Sequence, residues 1–244
     1  MHCQPHSGHQ VYIWLKNVQT CLLCDEQTDS DIALCTQCES DLPWLIDQCD
    51  RCALPMSMTD LTCMQCLRHS PAFDEVIVPW RYDFPIDALV TRFKHQGRWP
   101  LGRLLADLLA RTLQHRFDED LTPPDVLVPV PLASKRLRQR GYNQAAMLAN
   151  WLGSQLRLPV DERLIKRTKE TPAQQGLNAK ARKRNLRDAF TLATPSKVID
   201  QHIALIDDVL TTGSTADALA NLLKRAGAKK VDVYCLARTP KPGD

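Results

Sequence analysis

The sequence predicts an α/β protein whose mainly parallel sheet is flanked by helices, preceded by a small cysteine-rich module. Three observations carry this reading. Apolar runs of strand length alternate with amphipathic stretches of helical period after residue 70. Four Cys-x-x-Cys pairs crowd the first quarter at a constant interval. One apolar run, 203–206, ends in two adjacent carboxylates and a hydroxyl-rich turn, "DDVLTTGST".

At 244 residues there is room for one large domain or two unequal ones, and 44% hydrophobic residues is ordinary for a globular chain. No apolar run approaches the roughly 20 residues a membrane-spanning helix needs. The opening stretch, "MHCQPHSGHQVYIWLKNV", has no basic n-region, long apolar core or small-residue cleavage site, so a cytoplasmic protein is expected. In that reducing compartment ten cysteines point to metal rather than disulfides.

The net charge of +3 conceals an asymmetry. Residues 1–75 hold three Lys/Arg against eleven acids, whereas residues 125–187 hold fourteen Lys/Arg against four acids. The basic half carries a concentrated positive field suited to phosphates.

The cysteine pairs are Cys21/Cys24, Cys35/Cys38, Cys49/Cys52 and Cys63/Cys66, with first cysteines fourteen residues apart. Each pair can form a knuckle that offers two thiolates, and two knuckles complete a tetrahedral all-thiolate site. Two structural zinc ions are expected, most simply one on Cys21/Cys24/Cys35/Cys38 and one on Cys49/Cys52/Cys63/Cys66; an iron–sulfur cluster is the rival. A segment of about 50 residues builds too little core to fold alone, and structural zinc contributes roughly 10–16 kcal/mol in small fingers. Cys235, in the apolar run "VDVYCLA", reads as core.

Beyond the cysteines, "EVIVPWRY" (75–82) reads as a strand and "LGRLLADLLARTL" (101–113) as an amphipathic helix. "DVLVPVPL" (125–132) is an apolar run closed by prolines, suited to a buried parallel strand. "NQAAMLANWLGSQL" (143–156) reads as a helix capped by Asn143. "IALID" (203–207) is a buried strand, 214–228 a helix stopped near Gly227, and 229–238 a last strand. Ligands of such sheets collect at the C-terminal strand ends, where the acids and hydroxyls fall.

A turn entering a helix presents unpaired N–H groups to an anion. Thr211, Thr212, Ser214 and Thr215 add hydroxyl donors, and Gly213 permits close approach of a phosphate. Asp207 and Asp208 would repel a phosphate but can accept hydrogen bonds from sugar hydroxyls. Phosphate beside a vicinal diol means ribose 5-phosphate. The turn lacks the G-x-x-x-x-G-K-[ST] spacing of a nucleoside-triphosphate loop.

"ALIDDVLTTGST" resembles the phosphoribosyl pyrophosphate (PRPP) signature of type I phosphoribosyltransferases. The resemblance implies that Asp207 and Asp208 hold the ribose hydroxyls and that Thr211, Thr212, Gly213, Ser214 and Thr215 cradle the 5-phosphate of PRPP, bound with Mg2+. "FKHQGRWPLGRLLADLLA", "PVPLASKRLRQRGYNQAAMLA" and "RTKETPAQQGLNAKARKRNLRDAF" resemble, in order, the ComF/GntX family of competence-associated proteins with an N-terminal zinc ribbon. That implies a tail over 1–19, a double zinc ribbon over 20–70 and a type I phosphoribosyltransferase-like domain over 71–244. It also implies a role in DNA uptake, natural transformation or use of external DNA, with a salvage phosphoribosyltransferase of unidentified acceptor as the alternative.

In related enzymes the loop after the "PVP" strand receives pyrophosphate, which points here to Ser134, Lys135 and Arg136. Lys94 in "FKHQG" is a further candidate for approaching the ligand. The segment 167–190, with Arg167, Lys169, Gln174, Arg182 and Asn185, falls where the family has a flexible loop or hood. Arg138, Arg140, Lys180, Arg182, Lys183, Arg184 and Arg187 exceed what one pyrophosphate can use and are candidates for single-stranded DNA, with Tyr142 and Trp151 interspersed. DNA-uptake proteins are the implied partners. No catalytic residue stands out.

Overall fold

The structure, a computed structural model, describes residues 19–58, 61–168 and 189–241. The chain divides into two compact units, Met1–Asp41 and Leu42–Asp244.

In the first unit β1 (Gln19–Thr20) pairs antiparallel with β2 (Gln27–Thr28), followed by the short helix α1 (Thr36–Ser40). Cys35 is the N-cap of α1, its sulfur accepting from the Cys38 N–H at 3.5 Å. Cys21 and Leu34 are its most buried residues.

The second unit begins with the second cysteine quartet and the helix α2 (Met64–Arg68), and continues into the sheet. The predicted strand 75–82 is two short strands, β3 (Glu75–Ile77) and β4 (Trp80–Arg81), both parallel to β9 (Lys230–Arg238). Pro79 has no N–H for the ladder, which accounts for the interruption. The sheet order is β3–β9–β8–β5, with β5 spanning Val126–Pro129 and β8 His202–Leu210, and every pairing is parallel. The central strands are buried on both faces: Ile203–Ile206 of β8 and Val231 and Val233–Ala237 of β9 have no accessible surface.

β8 runs further than the predicted 203–207. The long partner β9 keeps supplying ladder positions, with Asp207 opposite Cys235 and Leu210 opposite Arg238. The two acids therefore lie within the ladder rather than at the strand's exit.

Helices cover the sheet. α3 (Ile86–Gln96) buries Ile86, Leu89, Val90 and Phe93, a stripe at i, i+3, i+4 and i+7, and stops at left-handed Gly97. α4 (Trp99–Glu119) outruns the predicted 101–113 by two residues at its start and six at its end. A Cβ at Gly102 would lie 2.5 Å from the Phe93 ring, so glycine is what lets α3 and α4 approach. α5 (Ser134–Arg140) is a short helix where the sequence reading placed a loop. It buries no residue, so it has no apolar period by which to be recognised. α6 (Gln144–Leu156) starts as expected, the Asn143 side chain accepting the Ala145 N–H at 3.1 Å.

β6 (Ile165–Arg167) and β7 (Phe190–Leu192) form a separate antiparallel pair. α7 (Ser214–Arg225) follows the hydroxyl-rich turn. Among the described residues no helix is long and apolar enough to cross a membrane.

The stretch carrying the second quartet is built into this unit. The Leu45 N–H donates to the Pro79 carbonyl at 2.8 Å, and Leu45 and Ala53 share one core with Val76, Val78 and Val233. The Arg51 guanidinium donates to the Asp74 carbonyl at 3.1 Å.

Candidate functional site

The sulfurs of Cys21, Cys24, Cys35 and Cys38 lie within 4.8 Å of one another, as do those of Cys49, Cys52, Cys63 and Cys66. Consecutive knuckles are thus brought together, as the repeat predicts. The thiols cannot all ionise unaided: burial pushes Cys52 up to about 11 and Cys66 further still, with the neighbouring sulfurs adding to the effect at Cys66. A tetrahedral dication balances such a set, and four sulfurs per site leave no position open to substrate, which fits structural zinc. Backbone N–H groups support the sulfurs, as where Cys63 donates to Cys49 Sγ at 3.3 Å.

The second constellation gathers at the C-terminal edge of the sheet. Asp208 is buried, 3% exposed, and Asp207 half-buried beside it. Each carboxylate accepts the N–H that follows it, Asp207 from Asp208 at 2.9 Å and Asp208 from Val209 at 2.8 Å. Lys94, in the last turn of α3, reaches the other Asp208 oxygen at 2.7 Å. Burial, reinforced by the Asp208 charge, pushes the Asp207 carboxyl up to about 7, against the opposing pull of the Asp208 N–H and Lys94. Two adjacent acids with unlike environments can divide roles near neutral pH, one holding a proton while the other accepts.

The turn Thr211–Gly213 leads into α7 with Gly213 left-handed at φ 72°. The Thr212 and Ser214 hydroxyls lie 2.9 Å apart, and the Ser214 N–H points at Thr212 Oγ1 at 3.4 Å. The turn is exposed at Thr211 and Thr212, so its N–H and hydroxyl donors can meet an anion.

β5 ends at the same edge, Pro129 lying opposite Ile206 one position before Asp207, and leads into α5. Ser134, Lys135, Arg136 and Arg138 are exposed on α5. Arg140 donates to Gln144 at 3.1 Å; burial, with the charges of Arg140 and Lys94, holds His95 below the usual imidazole range. Arg140, His95 and Lys94 thus cluster beside Asp208. Tyr142 donates to the Phe93 carbonyl and Trp151 packs on the Phe93 ring at 6.0 Å, so both aromatics are engaged in packing. Arg167 lies over the Phe190 ring at 5.4 Å. Lys169, Gln174, Lys180, Arg182, Lys183, Arg184, Asn185 and Arg187 lie outside the described residues.

Sequence reasoning missed Arg238. Its buried side chain donates from Nη1 to the carbonyls of Leu210, at 3.0 Å, and Thr211, and from Nε to the Cys52 carbonyl at 3.0 Å. An arginine closing the apolar run 233–237 was the available signal. His95 was missed as well, because α3 was unassigned.

A parallel sheet with paired acids and a hydroxyl turn at its C-terminal edge, joined to two four-cysteine clusters, defines a phosphoribosyltransferase-type α/β protein with metal-ribbon modules. The Double zinc ribbon domain matches residues 18–67 and the Phosphoribosyl transferase domain residues 102–243. The chain is 35% identical to "Competence protein F" of Haemophilus influenzae, over 84% of this chain and 90% of that one. It is 36% identical to "DNA utilization protein YhgH" of Escherichia coli, over 90% of each. "Competence protein ComFC" of Bacillus subtilis is 27% identical over 90% of this chain and 95% of its own. The chain belongs to the ComF/GntX family.

Two outcomes follow from this geometry. Metal analysis should find two zinc ions per chain, with Cys24→Ser and Cys52→Ser each removing one; a single zinc, or an iron–sulfur chromophore, contradicts the two closed sites. The second concerns Asp207. A carboxyl whose folded pKa stands near 7 stabilises the fold fully below the ordinary carboxylate range and loses that contribution as pH rises through about 7. Asp207→Asn should therefore melt higher than the parent by an increment that grows between pH 5 and pH 8 to a few degrees. About 1 kcal/mol corresponds to roughly 2–4 °C for a chain of this size. An increment independent of pH contradicts the raised pKa.

Proposed function

We propose that the chain binds PRPP or a nucleotide at the C-terminal ends of β5 and β8 and serves in the uptake or use of DNA from the cytoplasmic side. The observation that carries the ligand reading is the Asp207–Asp208 pair set immediately before a glycine-hinged hydroxyl turn at the start of a twelve-residue helix. The process-level reading is supported by relatives named for competence and for DNA utilization. No observation favours nucleobase salvage.

In this reading Asp207 and Asp208 accept the ribose hydroxyls, and the Gly213 turn with the α7 N-terminus holds the 5-phosphate. Ser134, Lys135 and Arg136 face the pyrophosphate. Mg2+ bound with the pyrophosphate would relieve the charge between that group and the acids. Lys94 holds the Asp208 carboxylate in place by its 2.7 Å ion pair until the sugar arrives.

Calorimetry with PRPP and Mg2+ tests the site. Asp208→Asn should weaken binding about tenfold to a hundredfold, the worth of one hydrogen bond to a charged acceptor. Unchanged affinity in Asp208→Asn and in the Asp207→Asn/Asp208→Asn double variant refutes the site. Pyrophosphate release with a panel of nucleobases decides whether the ligand is turned over.

A second reading is carried by α5, which buries no residue and displays Lys135, Arg136 and Arg138. We infer that this face, with Lys180, Arg182, Lys183, Arg184 and Arg187, contacts single-stranded DNA without sequence preference. Each phosphate contact should add about −0.7 to the slope of log K against log salt. Replacing Arg136 and Arg138 by Ala should flatten the slope by roughly 1.4 units. Absence of oligonucleotide binding at low salt sinks the idea.

A further inference from the structure

We propose that Arg238 is a positioning residue that straps the phosphate turn to the second cysteine quartet, so that metal on that quartet and ligand in the turn favour each other's binding. The proposal rests on the PRPP reading above and adds a control of that site by the ribbon.

Arg238 is the last residue of β9 and is 5% exposed. Its guanidinium is satisfied by main-chain carbonyls: Leu210 at 3.0 Å and Thr211 at the mouth of the turn, Thr239 at 3.0 Å, and Cys52 at 3.0 Å. Burying a cation is costly unless it is well hydrogen-bonded. Here it also places a fixed positive charge behind a turn that receives an anion.

The Cys52 carbonyl is held by the knuckle. Ala53, the next residue, is left-handed at φ 51° and donates its N–H to the Cys49 carbonyl at 2.9 Å. A non-glycine residue is disfavoured in that region. A metal clamping Cys49 and Cys52 opposes relaxation of the knuckle, and so keeps the Cys52 carbonyl where Arg238 finds it.

A second set of contacts runs the same way. The residues after the last cysteine pair bring Phe73 to 3.9 Å from where a Cβ on Gly213 would stand. The neighbouring Ala72 N–H donates to Asp217 at 2.9 Å, and the Asp217 N–H closes the first turn of α7 onto the Gly213 carbonyl at 2.8 Å. The stretch carrying the quartet therefore backs the turn twice, Cys52 through Arg238 at Leu210–Thr211 and Phe73 at Gly213.

Linkage makes the coupling reciprocal: whatever factor zinc adds to ligand affinity, ligand adds to zinc affinity. The test is zinc affinity at equilibrium, measured on the full chain by competition with a chromogenic chelator, with and without PRPP and Mg2+. The Cys24→Ser/Cys38→Ser variant, which keeps only the second quartet, assigns the signal. PRPP should tighten zinc on the second quartet about fivefold or more, within the usual range of coupling between sites, and leave the first quartet unchanged.

Arg238→Lys keeps the cation but cannot fork between Cys52 and Leu210. It should still load two zinc ions and bind PRPP, yet lose the mutual tightening. PRPP bound by the parent protein with no change in zinc affinity overturns the strap, as does undiminished coupling in Arg238→Lys. Failure of the parent to bind PRPP in calorimetry overturns the ligand reading and the strap together, and is a distinct result.

Discussion

Strands β8 and β9 pair from His202 opposite Lys230 to Leu210 opposite Arg238, and most of what matters in the second unit is placed by that ladder. With both strands buried on both faces, a shift of one residue would turn charged side chains into the apolar layers. The register therefore sets Asp207 against Cys235, an inert buried thiol that burial pushes well up. It also brings Arg238 level with Leu210, where its side chain reaches the carbonyls of the turn. The ladder continues past the acids, and the left-handed conformation needed to turn into α7 falls just beyond it, at Gly213.

The two ends of the sheet handle buried charge in opposite ways. At the N-terminal end His202 meets Asp232 at 2.7 Å, Lys230 meets Asp232 at 2.9 Å, and Arg116 meets Glu75 at 3.1 Å. Each acid there has a cation within hydrogen-bond reach. At the C-terminal end two adjacent acids share one close cation, Lys94, and Asp207 is left near neutrality. A pair that is incompletely compensated in the free protein is poised to gain from a ligand that supplies donors, and such perturbed groups concentrate at functional sites. The stability lost at the acids is of the kind natural proteins accept where they bind.

Legibility from sequence followed the density of local signal. The repeat of Cys-x-x-Cys at fourteen residues paired the knuckles correctly because spacing and donor type alone specify a four-thiolate site. The "IDDVLTTGST" motif announced strand, acids, turn and helix in order, since each step there is a change of residue class. α6 was readable through Asn143 and a 3.6-residue period. α5 was not, since a helix that buries nothing has no period, and α3 went unassigned because its N-cap is Pro85, with no capping side chain to mark the start. Arg238 closes a largely apolar strand and His95 sits on the unassigned α3, but their roles come from residues 28 and more than 40 positions away, and no local pattern encodes such a meeting.

The two quartets share a motif but not a situation. The division at residue 41 leaves the first with its own short strands and helix, while the second falls inside the unit that holds the sheet. Leu45 and Ala53 join the main apolar core, and Cys52 packs against it. A ribbon standing alone uses metal to replace a core it lacks. A ribbon that shares a core gains stability from both, so its metal can do more than hold the chain folded. The Cys52 carbonyl is one partner of the buried guanidinium that also gathers the turn, and through that strap, as proposed above, a module without an open coordination position would act on a turn some 160 residues along the chain.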